Sequence, residues 1–421
     1  MPEKERNTIP AMASTPDLDF ELIEDRYSRQ RLIACWDQEK LAKARIVVVG
    51  AGALGNEVLK NLALAGVGNI LIVDFDRIEV SNLSRSVLFR DTDAGRPKAS
   101  TAARALRELN PEISVHAVDG DLESDLGLGL LRESDLVLGC LDNVYARWAL
   151  NRACWRAGTP WIDAGINATV GEVCLYVPGD GPCYECGMTG QMWSQIHERR
   201  SCMLLPRKLP RRIIPTTSVI ASVAAALQVN EALGFLHQLT SNGKTPDRAM
   251  ARGEHRLHPG ETLFVSILPY SVSRFTTAEK PECLAHETYA PSIFVEAGPS
   301  EITVMELLDR VPQAVSLQLD FDVVCGWRCG NGCGTSHTVA RLTALSGTEA
   351  MCPECRSERT PEIVHEIGRF DYLTGQSLEA LGVPPRAILR IKTGTGHCFV
   401  ELTKAEELLP QIPRMHEVKQ T

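Results

Sequence analysis

Short apolar, β-rich runs over residues 45–50, 69–74, 114–118 and 136–140 alternate with stretches, 55–65 and 98–109, in which apolar residues return every three or four positions. The first pattern suits strands buried in a sheet, and the second suits helices that lay one side on it. Their alternation predicts a parallel sheet with crossover helices. A further helix is predicted over 144–157, with strands around Trp161 and over 173–177. The longest apolar stretch, 218–236, carries Gln228, Asn230 and Glu231, which predicts a buried core helix rather than a membrane span. Residues 238–260 are polar, contain Gly and Pro, and read as a linker or long loop before a strand over 262–268. From about residue 290 the pattern changes to short strands, a cysteine cluster and the stiff Pro384-Pro385 pair. The expected organisation is a mobile tail over 1–20, one large α/β domain over 21–289 and a smaller zinc-containing α+β domain over 290–421.

Composition narrows the function. With 44% hydrophobic and 23% charged residues, the 421-residue chain can bury an ordinary core. A net charge of −9 argues against a general nucleic-acid surface, which needs a basic field, and makes a protein partner the better expectation. The opening MPEKERNTIP has no basic segment followed by an apolar core, so a cytoplasmic protein is expected. Fourteen cysteines in a chain of this length, clustered in short-spaced pairs, read as metal sites in a reducing compartment rather than as disulfides.

Gly50-Ala51-Gly52-Ala53-Leu54-Gly55 follows the first predicted strand and opens a helix, the context in which such glycines let a backbone approach phosphate. Asp74 ends the next strand, where a carboxylate can accept from ribose hydroxyls. Alone, these features say only that a nucleotide binds. Asn82, Arg85 and Lys98, all within 24 residues of Asp74, favour a triphosphate, because cations there would stabilise charge at its α-phosphorus. Asp142, just past a strand end, is placed to hold Mg²⁺ against the phosphates.

The joint pattern of Arg26-Tyr27-Ser28-Arg29-Gln30, the glycine turn, Asp74-Phe75-Asp76, Ser81-Asn82-Leu83-Ser84-Arg85, Gly95-Arg96-Pro97-Lys98 and Leu141-Asp142-Asn143 resembles the Rossmann-like adenylation domain of ubiquitin-activating-type enzymes. That superfamily includes the molybdopterin-synthase and thiamine-pathway sulfur-carrier adenylyltransferases. The resemblance covers roughly residues 22–287. It implies nucleotide contact by Asp74, Asn82, Arg85 and Lys98, magnesium at Asp142, a homodimer, and Arg29 supplied across the dimer interface.

Cys183-Tyr184-Glu185-Cys186 and, 97 residues later, Cys283-Leu284-Ala285-His286 have the spacing of two knuckles completing one tetrahedral zinc. Relatives commonly have four cysteines here, so His286 is a departure that zinc chemistry accepts. Cys325, Cys329, Cys333, Cys352 and Cys355 offer five thiols for a second zinc. Cys352 and Cys355 form one half; Cys329 and Cys333 are preferred for the other, because Gly334 supplies a flexible knuckle residue and Cys325 is read as ending a strand. Cys35, Cys140, Cys154, Cys174 and Cys398 lie in apolar settings and read as packing residues.

Cys202 sits at the start of a run, 199–212, with six basic residues and no acidic one, a field that favours thiolate. Thioester-forming activating enzymes resemble this, with a cysteine ahead of a Pro- or Thr-started helix. The expected activity is ATP-dependent adenylation of a ubiquitin-like protein's C-terminus, thioester formation on Cys202 and transfer to a conjugating enzyme. The alternatives are a sulfur-carrier adenylyltransferase and a non-catalytic binding scaffold.

Overall fold

The computed structural model describes residues 24–201, 215–238, 256–345 and 348–404. The tail, most of the predicted linker and Cys202 lie outside the described residues. After a short helix, α1 (Gln38–Lys43), the strands β1 (Arg45–Val49), β2 (Asn69–Val73), β3 (Ser114–Val118), β4 (Leu136–Gly139) and β5 (Trp161–Asn167) run parallel in the order β3-β2-β1-β4-β5. Helices α2 (Ala53–Ala65), α3 (Lys98–Leu109), α4 (Leu128–Glu133) and α5 (Val144–Ala157) connect them. Three antiparallel strands, β6 (Val170–Tyr176), β7 (Glu261–Ile267) and β8 (Tyr270–Thr276), extend the sheet to eight. Between β6 and β7 lie α6 (Gly190–Ser201) and α7 (Ser218–Gln238).

Side chains of a strand alternate in direction, and β1 shows the result. Ile46 and Val48 join the core with α2, α3 and α7, while Val47 and Val49 join the opposite core with α4, α5 and α6. The predicted core helix is α7, and by length and composition alone it would also pass as a membrane span. It instead packs along α2 and against β5 and β6. Its fully buried Gln228 donates from Nε2 to Gly139 O at 3.0 Å and Ile162 O at 2.8 Å, tying the helix to two neighbouring strands. The sequence pattern does not predict β8, which is exposed at every position and so has no buried face to leave a period-two signature.

The C-terminal unit has its own sheet and core. Strands β9 (Ile293–Val295), β10 (Ala314–Cys329), β11 (Thr335–Arg341), β12 (Arg359–Gly368), β13 (Ile388–Thr393) and β14 (Gly396–Leu402) form the order β11-β10-β13-β14-β9, with β12 also paired to β10. Helix α8 (Val304–Asp309), capped reciprocally by Thr303 and Glu306, covers it. Register shifts let the first half of β10 pair with β13 and its second half with β11.

This unit is fastened to α4 and α5 of the first by charge. Glu401, fully buried, accepts from both Arg132 of α4 and Arg386, and Arg386 also pairs with Glu133. Nearby, Gly129 N–H donates to Arg386 O at 2.8 Å. Asp320 pairs with Arg156 of α5 at 3.3 Å and accepts from Tyr289 Oη at 2.7 Å.

Candidate functional site

Strand order reverses between β1 and β4, and an open α/β sheet binds ligands at the carboxyl ends of its strands at such a switch point. The glycine turn lies there. Gly50 has φ +99°, and a Cβ on it would stand 2.4 Å from Cys140 O, beyond the end of β4. A Cβ on Gly55 would stand 2.0 Å from Gly50 O, so both glycines are required for the turn to close. Gly52, which caps α2, differs: a Cβ there would meet nothing within 4 Å. The N-terminus of a 13-residue helix therefore opens onto clear space, which suits the approach of a phosphate to backbone N–H groups.

Asp74 is bound into this turn. Its two oxygens accept from Ala51 N–H and Asp76 N–H, each at 2.7 Å. Burial raises its pKa, an effect that the Lys98 ammonium opposes. Lys98, 9% exposed at the start of α3, reaches Asp76 at 2.9 Å. A triphosphate would thus compete with Asp76 for this cation. Asn82 and Arg85 lie on a 3-10 helix over Val80–Arg85. Asn82 Oδ1 accepts from Glu79 N–H at 3.0 Å, and Arg85 folds back to Ser81 O at 2.6 Å. Asp142 lies beyond β4 and accepts from Asn143 Nδ2 at 3.0 Å, leaving a carboxylate at the solvent-facing edge of the site.

Arg29 stands apart from these residues. It is exposed beside Gln30, whose Nε2 donates to Leu64 O near the far end of α2. The length of α2 puts it roughly 20 Å from the glycine turn of its own chain, beyond the reach of one side chain.

Two residues that the sequence pattern does not single out support the turn. Asn56, fully buried on α2, donates to Ala51 O at 2.7 Å and Gly52 O at 3.0 Å and accepts from Leu88 N–H, locking the glycine turn to the loop ahead of α3. Asp76, present in the sequence only as part of a motif, holds Lys98. Its sequence signal is weak, since α2 also carries Glu57, Lys60 and Asn61.

The two cysteine clusters assemble as ligand sets. Cys183, Cys186, Cys283 and His286 present donor atoms all within 4.8 Å of one another, as do Cys329, Cys333, Cys352 and Cys355. Cys183 Sγ lies 3.8 Å from Cys186 Sγ and 3.7 Å from Cys283 Sγ, and Cys186 Sγ lies 3.4 Å from His286 Nε2. A tetrahedron with metal–sulfur bonds of about 2.3 Å has edges of about 3.8 Å, so the first set fits zinc, and the distances are too long for disulfides. Trp155 stacks on His286 at 4.1 Å, and Lys280 N–H donates to Cys186 Sγ at 3.4 Å, partners that orient the ligands. In the second set Cys329 and Cys355 are 3.5 Å apart. Cys325 stays outside it: β10 continues past this residue, and its thiol donates to Glu362 O on β12. With all four ligands supplied by protein, both sites suit a structural role. Metal analysis of purified protein is expected to give two zinc ions per chain, and one or none would contradict this. Cys35, expected to pack, is instead exposed in the turn ahead of α1.

Together, the switch-point glycine turn, the acid at the end of β2 and the cations that follow define an α/β nucleotide-binding domain, closed at its far end by a cysteine-rich knuckle. The chain belongs to the ThiF family, whose model matches residues 27–285. The C-terminal unit lies beyond that match. The sulfur carrier protein adenylyltransferase of Thermus thermophilus is 36% identical over 273 residues, 62% of this chain and 89% of that protein. The molybdopterin-synthase adenylyltransferase of Escherichia coli is 39% identical over 165 residues, 38% of this chain and 66% of its own length. Among solved structures, E. coli MccB crystallised with MccA is similar with a TM-score of 0.50 and 27% identity, over 63% of this chain and 74% of that one.

Proposed function

We propose that this chain is an ATP-dependent adenylyltransferase that activates the C-terminal carboxylate of a small carrier protein. The observation that carries the reading is the clear space at Gly52, linked through Ala51 and Asp74 to Lys98 and through Cys140 to the Asp142 loop. In this reading the turn's backbone N–H groups and the start of α2 hold the phosphates, and Asp74 receives the ribose. Asn82, Arg85 and Lys98 neutralise charge at the α-phosphorus, and Asp142 holds Mg²⁺. A carboxylate oxygen of the carrier attacks the α-phosphorus, the bond to the bridging oxygen breaks, and pyrophosphate leaves.

The name of the Thermus thermophilus relative supports a sulfur-carrier class of substrate. The basic run around Cys202 supports a second reading, in which that thiolate takes the acyl group and a conjugating enzyme follows. In either reading the C-terminal unit recruits the carrier or the downstream enzyme. Small proteins ending in glycine from the same genome, screened for carrier-dependent ATP–pyrophosphate exchange, test the proposal. Absence of ATP binding overturns it.

The distance between Arg29 and its own glycine turn supports a homodimer with shared sites. Arg29→Ala and Lys98→Ala are each expected to lower exchange by at least about a hundredfold, the scale of losing one transition-state contact. Mixed Arg29→Ala/Lys98→Ala dimers carry one intact site and should regain part of the activity. No recovery on mixing counts against sharing.

A further inference from the structure

Arg147 of α5 is a largely buried cation that no step above uses. Its Nε donates to Asp163 Oδ1 of β5 at 3.2 Å, and Asp163 is only 4% exposed. Its Nη2 donates to Leu141 O at 3.0 Å and to Ala164 O at 3.3 Å. Leu141 immediately precedes Asp142. One guanidinium therefore ties the loop leaving β4 to the neighbouring strand, and that loop presents the carboxylate at the sheet edge.

The knuckle bears on α5, the helix that carries Arg147: Tyr184, which stands between the metal-ligating Cys183 and Cys186, is buried in one cluster with Trp148 of that helix. The same knuckle reaches α5 again through Glu185, which Arg152 grips at 2.7 and 3.1 Å, and through Tyr184 N–H, which donates to the buried Asn151 Oδ1 at 3.0 Å. A lone ion pair in this position gains little net stability, because desolvation offsets the attraction, whereas a guanidinium fork fixes several acceptors at once.

We infer that Arg147 is a positioning residue for the Asp142 loop, and that the cysteine knuckle sets its place by fixing α5 through Asn151 and Arg152. The inference rests on the nucleotide reading above. It gives the knuckle a second effect besides stability: it holds the magnesium carboxylate in register with the glycine turn. Lysine at position 147 would keep the charge opposite Asp163 but lose the fork, and Arg152→Met would keep an unbranched side chain on α5 but lose the grip on Glu185.

The test is calorimetric titration of the zinc-loaded, full-length protein with ATP over a series of Mg²⁺ concentrations, with no carrier present. In Arg147→Lys, the Mg²⁺ concentration giving half-maximal enhancement of ATP binding should rise by roughly tenfold, as when partners behind a metal ligand are lost. Arg152→Met, which acts on Arg147 only through α5, should shift it in the same direction by less. In an Asp142→Ala background, Arg147→Lys should add no further change, since the loop then has no carboxylate to place. A lower melting temperature with unchanged Mg²⁺ dependence in both variants overturns the inference and leaves Arg147 a plain structural ion pair. ATP binding by wild type that ignores Mg²⁺ overturns it as well. If wild type binds no ATP at all, the underlying reading fails, and the inference goes with it.

Discussion

Replacing Cys183 with serine is expected to lower the stability of the first domain by several kcal/mol and its melting temperature by roughly 10 °C or more, at the few degrees per kcal/mol typical of a domain this size. Cys183 is fully buried, and its sulfur is the apex from which both Cys186 and Cys283 are measured at tetrahedral distances. A hydroxyl neither ionises near neutral pH nor binds zinc strongly, so the substitution removes one of four ligands and leaves the others without a charge-balancing ion. What then loosens is the return of residues 283–286 to the knuckle after β8, because few other apolar contacts bind that segment. The two cores on either side of the large sheet do not depend on the metal, so destabilisation rather than complete unfolding is expected. Thermal melts of wild type and Cys183→Ser, each with and without a strong chelator, measure the effect. In the transition of the first domain, wild type with chelator should approach the variant, and the variant should respond only through loss of the second zinc, in the C-terminal unit. Equal melting temperatures for all four samples would remove zinc from this site.

Much of this architecture is readable in the sequence because its signals are local. The runs that form β1, β2 and β4 are buried on both faces and are apolar apart from Arg45 and Asn69 at the starts of β1 and β2, and the glycine turn keeps its spacing whatever surrounds it. The zinc partners lie about a hundred residues apart, yet each half announces itself by a two-residue gap between ligands. Pairing between distant charges is not readable in this way. Nothing local says that Glu401 is fully buried between Arg132 and Arg386, or that Arg147 faces Asp163 and Leu141. A surface arginine and a buried one look alike in sequence, because the cost of burial is met by acceptors elsewhere in the chain. Asn56 escapes notice for the same reason, since its acceptors are carbonyls of a turn whose path the sequence does not print. The long strand β10 is hidden differently: its register shifts break the alternation by which a continuous strand is recognised.

The fate of the acyl-adenylate turns on Cys202, for which Cys202→Ala is expected to separate two activities. Adenylation needs only the nucleotide site, so the variant should keep carrier-dependent ATP–pyrophosphate exchange near the wild-type rate. Covalent capture needs a thiolate. Cys202 follows α6 directly and precedes α7, and the run 199–212 places six basic residues and no acidic one around it. Such a field lowers the cost of ionising a thiol, and it must do so against the carbonyl end of α6, which the chain leaves immediately before Cys202. The thiolate would attack the carrier's acyl carbon, the bond to the AMP oxygen would break, and AMP would leave. With ATP and an exchange-active carrier, wild type should give a shifted band on a non-reducing gel that disappears with reductant, and Cys202→Ala should give none. A band that survives in the variant puts the nucleophile at another cysteine. Exchange without any band in wild type removes the thioester step and leaves the sulfur-carrier reading, in which the adenylate passes to an external sulfur donor. In that outcome the basic run would serve instead to steer an acidic carrier toward the site, an attraction that salt would weaken, whereas salt has little hold on a thioester once formed.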